Sequence, residues 1–246
     1  MFSDADAAEL YDLLNPWDPA RAPEDAFYLP LVMAAESVLD VGCGTGAMLR
    51  VARERGHRGR LTGLDPDRAA LDRARRRQDV EWVQGTAAQA VAGAGYALAT
   101  MTGHAFQDLV TDEDIRASLA AVRGALRPGG RFAFETRHPQ ARAWEKWTAA
   151  DSDDVAEVVD ASGRTLRYWH DVDSVSGGVV AFHGTVAAAD GTVLRVLRES
   201  LRFLDVAELD GFLAEAGFDI EARYGDWDRG PVTAAGREII TIARRP

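Results

Sequence analysis

The 246-residue chain is poorest in cysteine, lysine and long apolar runs. Cys43 stands alone, which excludes an intrachain disulfide and any cysteine-based metal cluster. A single cysteine fits a reducing compartment, so a cytoplasmic location is expected. The five histidines show no ligand spacing on one helix, so no metal site is expected. The first ten residues, MFSDADAAEL, have neither a basic n-region nor an apolar h-region and do not read as a signal peptide. No apolar run approaches a membrane span, and no membrane partner is expected. Positive charge is also short: 28 Lys and Arg face 39 Asp and Glu, a formal net charge of −11. Such a chain repels phosphate backbones, so no nucleic-acid partner is expected. The one dense basic run, Arg73 and Arg75 to Arg77, reads as the solvated face of a helix.

What the chain does have is a hydrophobic content of 47%, enough for one full core with a modest insertion. Strand and helix patterns alternate through the first 135 residues or so. SVLDVG predicts strand one, with a helix from Ala47 to about Arg55. GRLTGLDPD predicts strand two, ending on Asp65, and RAALDRARRR a helix. VEWVQG and YALATMTG predict strands three and four. TDEDIRASLAAVRGAL predicts a helix with Thr111 as N-cap, acids in its first turn, and Pro128-Gly129-Gly130 as its stop. GRFAFET predicts strand five. This alternation implies a parallel sheet with helices on both faces.

From about Arg164 to Phe203 the period changes to two. RTLRYWHDV, GVVAFHGTVAA and TVLRVLRESLRF predict strands, separated by Ser176-Gly177-Gly178 and Asp190-Gly191 turns. They form an antiparallel meander inserted after strand five. DVAELDGFLAEAGF predicts a last helix from the Asp205 cap to the Gly217 stop, and DIEARYG and REIITIA two closing strands.

The stretch GCGTG, after strand one, is built for close approach of a ligand, since glycine has no Cβ. The helix from Ala47 would aim free N–H groups into that loop. Two cofactors compete for it. Gly42-x-Gly44-x-x-Ala47 satisfies the loose dinucleotide fingerprint, and Asp65 stands where a ribose hydroxyl would be bound. S-adenosylmethionine is the other. VLDVGCGTG, GLDPD, VQGTAA, ATMTGHAF and ALRPGGRFAFE, in this order, resemble the successive motifs of class I methyltransferases. The resemblance covers residues 36–136. It implies a Rossmann-like, doubly wound, seven-stranded, mostly parallel α/β sheet, with the antiparallel β insertion after strand five. One domain is then expected, with an N-terminal helical lid over residues 1–30 and a cofactor-binding core over 31–139. An inserted roof over 140–204 and a closing helix and strand pair over 205–246 complete it.

By the same resemblance, Asp40, Gly42, Gly44 and Gly46 would surround the methionyl part of the cofactor. Asp65 would take the ribose hydroxyls and Thr86 the adenine amino group, with Pro66, Ala87 and Met101 as further cofactor contacts. Thr86 stands where the family often has an acid. Tyr11 and Trp17, large residues for a tail, would close the methionine end.

The acceptor side follows strands four and five, where open α/β sheets place ligands. His104 is the candidate base or substrate partner, its intrinsic pKa being near neutral. Phe106, Gln107, Arg137 and His138 are candidate substrate contacts, with Glu135 beside them. The inserted strands resemble the active-site roof of small-molecule N-methyltransferases of amino-sugar and glycine types. An Asn/Asp-Pro-Pro-aromatic motif of nucleobase methylases is missing after strand four.

The expected activity is methyl transfer from S-adenosylmethionine to a nitrogen or oxygen of a small molecule by in-line displacement. A nicotinamide-dependent oxidoreductase is one alternative, though Lys146, the only lysine, completes no Tyr-x-x-x-Lys pair. A non-methylating protein that binds S-adenosylmethionine is the other. The oligomeric state stays open, a homodimer included.

Overall fold

In a computed structural model, which describes residues 2–246, the glycine loop sits at the middle of a twisted sheet. Strands β1 (Ser37–Val41), β2 (Arg60–Asp65), β3 (Glu81–Gln84), β4 (Tyr96–Met101) and β5 (Leu126–Arg137) run parallel. β10 (Asp219–Tyr224) and β11 (Glu238–Arg244) close the sheet antiparallel, giving the order β10-β11-β5-β4-β1-β2-β3. Val38, Leu39 and Val41 of β1 are all buried, as a strand covered on both faces requires. The mostly parallel, seven-stranded sheet agrees with the sequence.

Helices α3 (Ala47–Glu54), α4 (Arg68–Ala74), α5 (Asp112–Ala125) and α6 (Val206–Glu215) connect the strands. Thr111 caps α5 by accepting from the Asp114 N–H at 3.1 Å. Asp67 caps α4, accepting from the Ala69 and Ala70 N–H groups. One expectation needs correction. Pro128-Gly129-Gly130 does not separate α5 from its strand; β5 begins at Leu126 and includes the turn. The reason is the far edge of the sheet. The Gly129 N–H donates to the Arg245 carbonyl at 2.7 Å, and the Arg245 N–H donates to the Gly130 carbonyl at 2.8 Å.

The insertion is a second sheet of four antiparallel strands, β6 (Ala156–Val159), β7 (Thr165–Ser176), β8 (Val179–Ala188) and β9 (Val193–Arg202). β6 was not anticipated, because four residues are too few to establish a period. Gly177 and Gly178 both have positive φ, 57° and 75°, which the tight β7–β8 hairpin requires.

The N-terminus supplies α1 (Asp4–Leu14) and α2 (Pro23–Ala34). Phe27, Tyr28 and Val32 of α2 pack into the core beside β1 and β11. α1 lies between the two sheets. Phe2 and Leu10 pack on Leu166 and Val186 of the roof. Its acids face both ways: Asp4 pairs with Arg195 at 2.7 Å and Asp6 with Arg164 at 3.1 Å, while Asp12 meets Arg73 of α4 at 2.8 Å. Asp12 also accepts from the Thr45 hydroxyl in the glycine loop. Among the described residues, no helix is long and apolar enough to cross a membrane.

Candidate active site

The loop after β1 is shaped by three glycines. Gly42, Gly44 and Gly46 have φ of 71°, 53° and 77°, a region that side chains rarely adopt. A Cβ on Gly42 would lie 2.9 Å from the Ala105 Cβ, so the loops after β1 and β4 touch there. Asp65, at the end of β2, accepts from the Gly44 N–H at 2.7 Å and the Asp67 N–H at 2.7 Å. Because Asp67 does the capping of α4, Asp65 keeps its remaining lone pairs for a ligand. Asp40 is buried below the loop and accepts from the Thr100 hydroxyl at 2.8 Å. Burial pushes its carboxyl up to about 7. The ring of Tyr11 is brought over this loop by α1. It is the side chain that a Cβ on Gly44 or Gly103 would approach, at 3.9 and 3.6 Å.

Four elements meet at the ends of β4 and β5. Gly103 and His104 both have positive φ, 67° and 63°, forming a tight turn after β4. The turn aims the His104 N–H at Glu135 Oε1, 2.8 Å away, and the ring Nε2 at Glu238 Oε2, 2.9 Å away. Glu135 is buried on β5 and also accepts from the Tyr28 hydroxyl of α2. Burial pushes the Glu135 carboxyl up, and the His104 and Tyr28 contacts act against that. With a carboxylate on Nε2, the ring proton sits there and Nδ1 is left as the acceptor.

The donor set fits S-adenosylmethionine. The cleft offers a glycine loop for close approach and carboxylates for hydroxyl and cationic groups. A pyrophosphate would be brought up against Asp40, Asp65 and Asp108, which is unfavourable.

Residues 38–130 match the family described as "Methyltransferase domain". A dTDP-3-amino-3,4,6-trideoxy-alpha-D-glucopyranose N,N-dimethyltransferase of Streptomyces venezuelae is 30% identical over 186 residues, 74% of this chain and 69% of that protein. This chain belongs to the class I S-adenosylmethionine-dependent methyltransferases. A 2-phytyl-1,4-naphtoquinone methyltransferase of Thermosynechococcus vestitus is 39% identical over 118 residues, 45% of this chain and 51% of that protein. The match to it spans about half of that relative's length. Among solved structures, the S-adenosylmethionine-bound amino pentose methyltransferase of Micromonospora echinaspora superimposes with a TM-score of 0.67 at 25% identity. That likeness covers 100% of this chain and 98% of the other. The methyltransferase uses S-adenosylmethionine, and the nicotinamide alternative falls.

The structure distributes the sequence-based candidates of this methyltransferase unevenly. It brings Tyr11, Gly42, Gly44 and Asp65 together at the ends of β1 and β2, with Asp40 below them and the turn that carries His104 alongside. Pro66 is exposed beside Asp65. Thr86 is exposed and caps a short turn, its N–H donating to Gln89 Oε1 at 2.8 Å. Ala87 and Met101 are buried in the core beneath. Gly46 and Trp17 line a groove of about 780 Å³ beside the loop, with Thr45, Arg50, Arg73 and Trp82, and neither Asp65 nor His104 lines it.

Three substrate candidates are corrected to supporting roles. Phe106 is a core residue, its ring stacked on Phe134 at 4.4 Å. Gln107 is sealed, accepting from the Arg137 N–H at 3.1 Å and donating to the Arg202 carbonyl at 3.1 Å. His138 is buried and caps the next turn, Nδ1 accepting from the Gln140 N–H at 3.1 Å. Arg137, the fourth of this group, reaches Gln107 Oε1 at 3.2 Å and the Trp147 ring.

Sequence reasoning missed Tyr28, Asp108, Glu199 and Glu238, and it left open whether the inserted strands face the pocket or solvent. On the roof, Tyr168 and His170 share a face of β7, and His170 Nδ1 meets Asp154 Oδ1 at 2.7 Å. Glu199 projects from β9. Crowding by protein pushes Glu199 up, and Asp108 up to about 6 with Glu199 and Asp65 contributing. Glu238 had a usable signal. β11 runs antiparallel to β5, so its first residue must land beside the end of β5.

Proposed function

We propose that the methyltransferase moves a methyl group onto a nitrogen or oxygen of a small molecule, with an amine nitrogen favoured, by in-line displacement. The observation that carries this reading is His104, held between Glu135 and Glu238 at the ligand edge. When bound, S-adenosylmethionine supplies a methyl group made electrophilic by its sulfonium. The chain's task is then alignment, exclusion of water and removal of one proton. The glycine loop takes the methionyl part, Asp65 the ribose hydroxyls, and Tyr11 covers them. The Glu238 carboxylate orients the His104 ring, whose Nδ1 accepts the proton lost by the acceptor. Two things favour nitrogen. The Streptomyces and Micromonospora relatives are named for amino-sugar methylation. The cleft also gathers carboxylates at Asp65, Asp108 and Glu199, which draw an ammonium group.

The test is formation of S-adenosylhomocysteine with matched amines and alcohols, followed by a donor carrying a chiral isotopic methyl. Turnover of amines with inversion at the methyl is the expected result. Turnover of alcohols alone would move the acceptor to oxygen, and retention would end the in-line scheme.

A further inference from the structure

Arg137 ends β5 among three carboxylates and pairs with none. Its cross-strand neighbour on β11 is Glu238, which turns instead to His104 at 2.9 Å. Glu135, two residues earlier on the same face, is taken by the Tyr28 hydroxyl and the His104 N–H. Asp108 stands close enough for its charge to be felt but makes no ion pair with Arg137. Among the described residues, no carboxylate oxygen comes within the 4.0 Å of an ion pair. The guanidinium has one neutral partner, Gln107 Oε1 at 3.2 Å from Nη1, and lies over the Trp147 ring at 5.5 Å. Surface arginines of this chain behave differently: Arg116, Arg131 and Arg164 each hold a carboxylate. A crowded cation without a counter-ion is costly unless a ligand supplies one.

We propose that Arg137 binds an oxoanion carried by the acceptor, so that the substrate is a small amine bearing a carboxylate or phosphate group. The inference rests on the amine reading above. The planar fork of arginine matches two oxygens of either group. Asp108 feels both Asp65 on the cofactor side and Arg137. Asp108 ends the short turn after β4, next to Gln107, the neutral partner of Arg137, and offers a carboxylate to the ammonium group of such a substrate.

The test loads the wild-type protein with S-adenosylhomocysteine and titrates matched probes by calorimetry. Glycine is set against methylamine, 2-aminoethylphosphonate against ethanolamine, and glucosamine 6-phosphate against glucosamine. The first pair reads the carboxylate arm and the other two the phosphate arm. At least one probe that carries the oxoanion is expected to bind tenfold or more tighter than its partner amine without it. Arg137→Gln should erase that ratio and leave S-adenosylhomocysteine affinity within a few-fold. Arg137→Lys, which keeps charge and loses the fork, should keep a smaller ratio, and it serves if the glutamine variant does not fold. Equal binding in every pair, no binding of any anionic probe, or a ratio that survives both variants overturns the proposal. If neutral amines are nevertheless methylated, the amine reading stands and only this inference falls. If wild type does not bind S-adenosylhomocysteine, both fall together.

Discussion

Asp65 shows how one side chain is freed for a ligand by the work of its neighbour. Asp67 takes the α4 cap, and Asp65 fixes Gly44 while keeping acceptor capacity toward the cleft. Asp65→Ala is expected to weaken S-adenosylhomocysteine binding at least tenfold, since charge-assisted hydrogen bonds are worth roughly 1.5–3 kcal/mol. Calorimetry checks it, and unchanged affinity would place the ribose elsewhere. His104 calls for more care, because its φ of 63° disfavours most replacements. Asparagine tolerates that region, so His104→Asn isolates the ring. It should lower kcat by ten-fold or more with cofactor affinity within a few-fold. Glu238→Gln keeps the shape and removes the charge on Nε2; it should move the pH profile of kcat without abolishing turnover. Motif spacing singled out Asp65 and His104 in the sequence. Glu238 was hidden because its role depends on which strand lies beside β5.

At the scale of elements, the β3 side chain Trp82 wedges against glycines from two other segments. A Cβ on Gly63 of β2 would stand 2.5 Å from Trp82 Cζ3 and 2.7 Å from Cys43 Sγ. A Cβ on Gly46 would stand 2.2 Å from Trp82 Cη2. Gly63→Ala is expected to destabilise by about 1–3 kcal/mol through overpacking, read as a lower denaturant midpoint. Trp82→Leu should recover part of that loss in the double variant, and an additive double variant would exclude the wedge. Parallel strands and α5 were legible from apolar runs and caps. The start of β5 was not, because a proline-glycine turn reads as a stop until the end of β11 is known to pair with it. Phe106 misled for a related reason: a motif locates a segment, while the direction of each side chain is fixed by packing on Phe134.

Across the whole molecule most acids are solvated, and a small set is not. The carboxyls of Asp40, Asp25 and Asp108 are pushed up to about 7, 6 and 6, and those of Glu135 and Asp65 are raised too, burial leading in each case. A carboxyl raised in the folded state is protonated there while its unfolded counterpart, near 4, has already ionised. Stability is therefore full below about pH 4 with respect to these groups and falls as pH climbs toward 7. The melting temperature of the ligand-free protein is expected to drop between pH 5 and 8. Asp40→Asn should flatten that slope and gain most at pH 8; a wild-type curve that rises over this range would refute the assignment. Net charge was legible in composition. Its convergence on one cleft was not, since the acids come from β1, β2, the loop after β4, β5 and β9.

The placement of α1 has a kinetic consequence. One helix carries Tyr11 over the glycine loop while its acids hold Thr45, Arg73, Arg164 and Arg195. With the cofactor bound as proposed beneath Tyr11, its exchange would require that helix to lift, and each exposed ionic tie would resist by only about 0–1 kcal/mol. Such ties are screened by salt, whereas displacement at an enclosed methyl group is not. The dwell time of the spent cofactor is then set as much by the surrounding ions as by the cleft itself.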